Sequence, residues 1–407
     1  MIKSIVDCEN STKLFDKDIN GRKINYYLLK EASFGSQRML YPDVTIWDSI
    51  NGKFYNPIQE KTMSLQKLQT FDGSAQQVVL DEGAVVKEGS FFYFVYNTQN
   101  YYHFLYDTLP YLITFLKLSK KITNLKLLMN YPDCDKKTFF PFVLECLEIL
   151  GIKDRIEILD SKTIYKKLYV SDSYTHGPDS NLPPRQEVFE FFKMFKQKAL
   201  SVSKQYNHPK KIYVSRRAWI HNKLDNIGTD YTNRRRLINE SDLVNKIQKK
   251  DFVEIFTENM CMVEKVALFH NAEEIAGIIG GGLANCVFSR PTTKLYTIVS
   301  PGFLDCNSRF LFSFKGCNLK LINSTKHVED TEYKKFMRVS YGKNYGEIYS
   351  VEGDYLQINQ ANNKVSGWAN HMTYKKVKVH KNKCIKLDHG LNSPFVLDID
   401  KCMREIK

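Results

Sequence analysis

No stretch of this 407-residue chain is apolar enough to look like a membrane span. The most apolar run, "YYHFLYDTLPYLITFLKL" (101–118), is broken by His103, Asp107 and Pro110, a content that is costly in hydrocarbon. The opening "MIKSIVDCENSTK" lacks the apolar core of a signal peptide, so a soluble, cytoplasmic protein is expected. Nine cysteines, an odd number without a CxxC pair, argue against both a disulfide framework and a zinc site. No repeat or low-complexity segment appears, which excludes solenoids and disordered arrays. Nucleic-acid-binding motifs are missing too, and so is an isolated basic helix.

What is present is the composition of a folded protein: 43% hydrophobic and 13% aromatic residues in a length that allows two or three domains. The net charge of +14 suits an anionic partner, whether a phosphorylated small molecule, a membrane face or a polyanion. Basic residues are scattered apart from "NRRR" (233–236) and "KKVKVHKNK" (375–383), and the latter reads as a strand with solvated lysines on one face.

From about residue 120, short apolar runs alternate with helical periods. "LKLLMN" (125–130), "RIEILD" (155–160) and "KLYVSD" (167–172) read as strands, and 136–151 and 186–200 as helices. A second alternation, beginning at "KKIYVSRR" (210–217), places strands at 212–215, 252–256, 275–279, 294–299 and 318–323, with helices at 239–250, 260–272, 283–289 and 303–314. That rhythm predicts parallel sheets covered by helices. The expected domains are 1–205, 206–330 and a β-rich extension over 331–407 of no assigned role.

Three constellations carry chemistry. Gly280, Gly281 and Gly282 lie between a strand and a helix, where bare backbone and a helix start suit a diphosphate. A close-packed turn would use the same residues, and the spacing fits neither GxGxxG nor GxxxxGK[ST]. Arg216 follows a strand's carboxyl end and Arg235 sits in the next loop. The planar fork of arginine grips phosphate, although arginine loops are often merely solvated. His103 and Asp107 are four apart and share a helical face. Such a pair can deprotonate a hydroxyl or can simply be a satisfied core histidine.

Taken in order, "YYHFLYDTLPYL", "KKIYVSRR", "RRLINESDLV" and "FVEIFTENMCMVEKVALFHNAEEIAGIIGGGLANCVF" resemble glycosyltransferase family 61 over roughly residues 90–300. The resemblance implies a GT-B-like α/β fold, with two Rossmann-like domains facing a cleft and a β-containing C-terminal extension. It also implies inversion at the anomeric carbon, a nucleotide-sugar donor, UDP on family grounds, and no obligatory metal or other cofactor. Carried over by position, Arg216, Arg235, Asn239, Glu240, Gly280, Gly281, Gly282, Leu283 and Asn285 would hold the donor, and Asp107, or His103 backed by Asp107, would be the catalytic base. The chain departs from the family at Ile278-Ile279, where Pro-His is common, and at Glu264-Lys265, where Glu-Gln is common. "DCD" (133–135) and "DID" (398–400) read as loop acids rather than a metal-binding DxD.

The expected activity is transfer of a hexose or pentose to a glycan hydroxyl in capsule-type surface polysaccharide or glycoconjugate synthesis. The acceptor would be a glycan or lipid-linked glycan, with peripheral contact to the inner face of an anionic membrane and no nucleic acid. The competing reading is a basic protein that binds nucleic acid or acidic glycan on the same fold without the chemistry.

Overall fold

The computed structural model describes residues 3–4, 24, 26–34, 46–48, 53–56, 61–63, 85–94, 101–131, 137–160, 163–171, 173–175, 183–203, 208–217, 235–304, 308–314, 317–328, 332–333, 335, 337–361, 376–386 and 393–406. The "DCD" stretch, Arg234 and residues 176–182 lie outside them. The chain divides into two compact units: Met1–Gln205 with Cys261–Ala267 and Leu311–Ser313, and Tyr206–Met260 with Leu268–Phe310 and Phe314–Lys407.

The first unit is built on one sheet of nine strands: β1 (Lys3–Ser4), β2 (Tyr26–Phe34), β3 (Ile46–Asp48), β4 (Lys53–Asn56), β5 (Lys61–Met63), β6 (Val85–Tyr93), β7 (Lys126–Met129), β8 (Ile156–Ile158) and β9 (Thr163–Ser171). Its order is β5-β4-β3-β2-β9-β6-β7-β8, with β1 beside β2. The half formed by β6 to β9 is parallel, as the alternation predicts. The half formed by β1 to β5 is antiparallel and joins it through the β2–β9 pair, so the sheet is mixed.

Helix Pro141–Leu150 starts on a proline and stops at Gly151 in the left-handed conformation (φ 72°), a stop that glycine makes without steric cost. Helix Gln186–Val202 buries Val188, Phe191, Phe192, Phe195 and Ala199, the one-sided stripe that its sequence period predicts.

The parallel sheet of the second unit is formed by β10 (Lys211–Val214), β11 (Val253–Ile255), β12 (Glu274–Ile278), β13 (Lys294–Ile298) and β14 (Asn318–Ile322), in the order β11-β10-β12-β13-β14. Every pairing is parallel, and β12 and β13 each bury four consecutive residues, as expected where both faces are covered.

Residues beyond 323 do two different things. Strands β15 (Thr325–His327) and β21 (Phe395–Leu397) pair with each other. Phe395, Leu397, Cys402 and Ile406 then enter the same core as Tyr213, Ala276 and Ile298. Between them β16 (Arg338–Tyr341), β17 (Asn344–Glu352), β18 (Tyr355–Ala361), β19 (Lys376–His380) and β20 (Cys384–Lys386) make a separate antiparallel sheet. That sheet has its own small core of Met337, Val339, Ile348, Leu356, Ile358 and Cys384.

Candidate functional site

In an open parallel sheet, ligands gather at the carboxyl ends of the strands, where the chain's order reverses. Each unit has one such point. In the first unit the chain runs β6, β7, β8 outward and then returns to lay β9 on the other side of β6. In the second, β10 is flanked by the next strand, β11, and the one after, β12. The sequence-derived candidates sit at these two reversals.

After β6 the chain enters a π-helical turn, His103–Thr108, closed by the Leu109 N–H donating to the Phe104 carbonyl. Such wide turns are rare and concentrate at functional sites. The turn brings His103 Nδ1 to 2.6 Å from Asp107 Oδ2. A carboxylate only accepts, so this contact assigns a proton to Nδ1, and in the neutral ring it is Nε2 that carries the lone pair. The side chains differ in access: His103 is 16% exposed and Asp107 4%, so only the imidazole can meet a substrate directly. Thr175, just past β9, donates to the Tyr106 carbonyl at 2.9 Å and lies 3.5 Å from the other Asp107 oxygen.

The sequence alone did not single out Thr175, because its relation to Asp107 needs β9 to be laid beside β6. Its one local signal is its place at the mouth of a Gly/Pro-rich loop. Lys265, which stands where the family commonly has glutamine, is 6% exposed and holds its ammonium 4.5 Å from the centre of the Tyr101 ring.

At the second reversal, successive arginines part company. Arg217 forks onto both Glu254 oxygens at 2.7 Å and donates to Ser241 Oγ at 3.0 Å; those hydrogen bonds to Glu254 hold its pKa above the usual value. Arg216 turns instead to the glycines, donating from Nη1 to the Ile279 carbonyl at 3.3 Å. A Cβ placed on Gly280 would fall on that same Nη1, and one on Gly282 would lie 2.8 Å from Val214 Cγ1 and 3.1 Å from Thr257 Oγ1. Gly280 itself is extended (φ 173°), so close approach, not backbone strain, requires the missing side chain. Burial lowers the Arg216 pKa, and the charges of Glu240 and Glu258 oppose that shift.

Glu240 opens the helix Glu240–Ile247. Its Oε1 accepts from the Arg216 N–H at 2.9 Å and from the Tyr213 and Ser215 hydroxyls at 3.1 Å each. Burial raises its pKa, partly offset by those donors. Asn239 clasps β21, donating to the Leu397 carbonyl at 2.9 Å and accepting the Leu397 N–H at 3.1 Å. Both side chains therefore act on the chain itself: Glu240 holds the end of β10 and its arginine in place, and Asn239 ties the start of that helix to β21. Arg235 has a left-handed backbone (φ 53°), uncommon for a residue with a side chain and typical of ligand clamps. Its guanidinium lies 4.7 Å over the Phe303 ring, in the loop that leaves β13. The structure thus brings Arg216 to the glycine turn and lays Arg235 against the neighbouring edge loop.

The helix after the glycines is 3-10 and runs Gly281–Phe288 rather than beginning at 283. Leu283 and Asn285 are fully buried, and Asn285 Nδ2 donates to the Gly282 carbonyl at 2.9 Å, which fixes the turn from within. Among the described residues no group of three His, Cys, Asp or Glu side chains is placed to hold a metal ion. Among them, too, no helix is long and apolar enough to cross a membrane.

The candidate residues at both reversals, from His103 to Asn285, lie within residues 101–296, which match the family described as Glycosyltransferase 61. The class is therefore that of glycosyltransferases. The match supports the assignment of this span to the glycosyltransferase 61 family. No curated protein matches the chain.

Proposed function

We propose that the chain is an inverting, metal-independent transferase of the GT-B type that moves a hexose or pentose from a nucleotide-sugar to a glycan hydroxyl in surface polysaccharide or glycoconjugate synthesis. The observation that carries this reading is Arg216 lying against Gly280 at the β10/β12 reversal, a guanidinium packed on a side-chain-free turn of an α/β sheet. A UDP-linked diphosphate is the ligand that suits it, with Arg235 serving the nucleotide from the neighbouring loop. Asn239 and Glu240 position Arg216 and hold the donor edge rather than touch the sugar.

His103 is the base and Asp107 its orienting partner. The acceptor hydroxyl gives its proton to His103 Nε2 as its oxygen bonds to the anomeric carbon. The bond from that carbon to the diphosphate breaks with both electrons leaving on the phosphate, where Arg216 meets the new charge. Attack opposite the leaving group inverts the anomeric centre.

A panel of nucleotide-sugars in thermal-shift assays, with and without EDTA, tests the reading. A UDP-sugar should raise the melting temperature equally in both buffers, and Arg216→Ala should abolish the rise. Failure of UDP, GDP, CMP and dTDP sugars alike to stabilise the protein would overturn it.

A further inference from the structure

A segment beyond the matched family span carries a dense excess of positive charge. Eleven Lys or Arg and three Asp or Glu occur between Lys334 and Lys386, an excess of eight in a chain whose net charge is +14. This is the segment of the β16–β20 sheet, and β19 sets its own basic residues on one face. Along β19, Val377 and Val379 pack into the small core, so the alternating Lys376, Lys378 and His380 take the opposite side. Register places them beside Asn359, Gln357 and Tyr355 of β18.

Two tyrosines stand on that outer face, Tyr349 at 43% and Tyr355 at 44% exposure. Lysines lie along their rings: Lys376 Nζ is 4.2 Å and Lys335 Nζ 5.4 Å from the Tyr349 centroid, and Lys378 Nζ is 5.1 Å from that of Tyr355. His380 meets the Tyr355 ring edge-on at 5.0 Å. Two carboxylates among the described residues share that face: Glu352, 3.4 Å from Lys378 Nζ and 3.2 Å from Gln357 Nε2, and Glu347, which the register sets beside Asn359.

We propose that this face docks an acidic polysaccharide, a chain of uronate-type sugars, beside the transfer site's own chemistry. The charge complementarity is direct, since Lys376 and Lys378 put ammonium donors on the side of the sheet that carries the exposed tyrosines. The tyrosine bodies offer flat apolar surface to sugar C–H faces, and the Asn359 and Gln357 amides suit hydroxyls. A second, weak contact on the same polypeptide raises the local concentration of a polymeric acceptor without a new contact at the transfer site. The inference rests on the transferase reading only for the polymer's role as acceptor; binding itself is independent of it.

The test is affinity electrophoresis of the full-length protein in gels containing polygalacturonate or neutral dextran. Fluorescence titration with a single-stranded oligonucleotide and flotation with phosphatidylglycerol-containing vesicles run in parallel. Polygalacturonate should retard the protein strongly and dextran should not. Lys376→Ser with Lys378→Ser should weaken retardation roughly fivefold at low salt. Tyr349→Ala with Tyr355→Ala should weaken it at any salt, whereas the double arginine variant K376R/K378R should keep it. Unchanged melting curves certify that the variants fold. Wild-type retardation in both the serine and alanine variants overturns the proposal, as does tighter binding to the oligonucleotide or the vesicles than to the polyuronate. Polyuronate binding with no nucleotide-sugar response would leave this surface standing and remove the transferase reading; the converse would do the reverse.

Discussion

Replacing Gly280 and Gly282 separately with alanine pulls apart two roles that sit two residues from each other. At Gly280 the new methyl would occupy the place of Arg216 Nη1. The backbone there is extended (φ 173°), so alanine is conformationally at ease, and the obstacle is the far end of a flexible side chain. The folded state should therefore lose little, with the smaller unfolded-state entropy of alanine returning about 0.4–1 kcal/mol. What is lost is the pose of the guanidinium and its bond to the Ile279 carbonyl.

A charge-assisted hydrogen bond to a ligand phosphate contributes about 1.5–3 kcal/mol, so the affinity for a UDP-sugar should fall roughly 10- to 150-fold. At Gly282 the methyl meets Val214 Cγ1 at 2.8 Å, a buried β-branched side chain on a central strand that cannot step aside. Overpacking of that kind costs about 1–3 kcal/mol, or roughly 3–10 °C of melting temperature for a unit near 200 residues. Calorimetry of ligand-free protein and isothermal titration with UDP-sugar give the two readouts. Wild-type affinity in Gly280→Ala would refute the role assigned to Arg216, and an unshifted melt in Gly282→Ala would refute the packing argument.

Further expectations concern the other groups. His103→Asn should lower kcat by roughly 10²–10⁴ with donor affinity unchanged, and Asp107→Asn should lower it by leaving the imidazole without its orienting acceptor; steady-state kinetics with titration of UDP-sugar reads both. Glu240→Ala leaves three buried donors unanswered and should cost about 2–5 kcal/mol in urea unfolding. Because burial raises the Glu240 pKa above 4.5, the folded state keeps that proton longer than the unfolded chain. The associated stability is thus present below pH 4.5 and lost as pH climbs through the folded value. Glu240→Gln, which cannot ionise, should lack that decline in pH-dependent melts. Excess EDTA should leave transfer activity at its untreated level in a product assay.

The parts of this fold that local sequence announces are those with a strong period. The phenylalanine stripe of 186–202 and the buried runs of β12 and β13 are visible because helix and strand periods differ. The order of the strands is another matter: it depends on partners far along the chain, and the reversals that define both edges exist only once β9 lies beside β6 and β12 beside β10. The antiparallel half of the first sheet comes from short strands before residue 94 that carry no comparable pattern. Arg216 and Arg217 are the same residue type in the same motif, and only Glu254 on the adjacent strand, which claims Arg217, tells them apart. Asn239 is legible as a motif residue, but its clasp on β21 is not, because its partner Leu397 lies 158 residues away. The spacing of His103 and Asp107 suggested a shared helical face correctly, but a π turn and an α turn are written in the same letters.

Strands β15 and β21 run antiparallel, Thr325 opposite Leu397 and His327 opposite Phe395. The polypeptide therefore leaves the parallel-sheet unit and comes back to it through adjacent doors, and all of β16–β20 hangs between them. An appendage attached in this way is interchangeable: evolution or an engineer can swap it for another, or for a short turn, while the strands that carry Arg216 and the glycines keep their order. Which polymer the protein holds on to and which reaction it performs are then separately heritable.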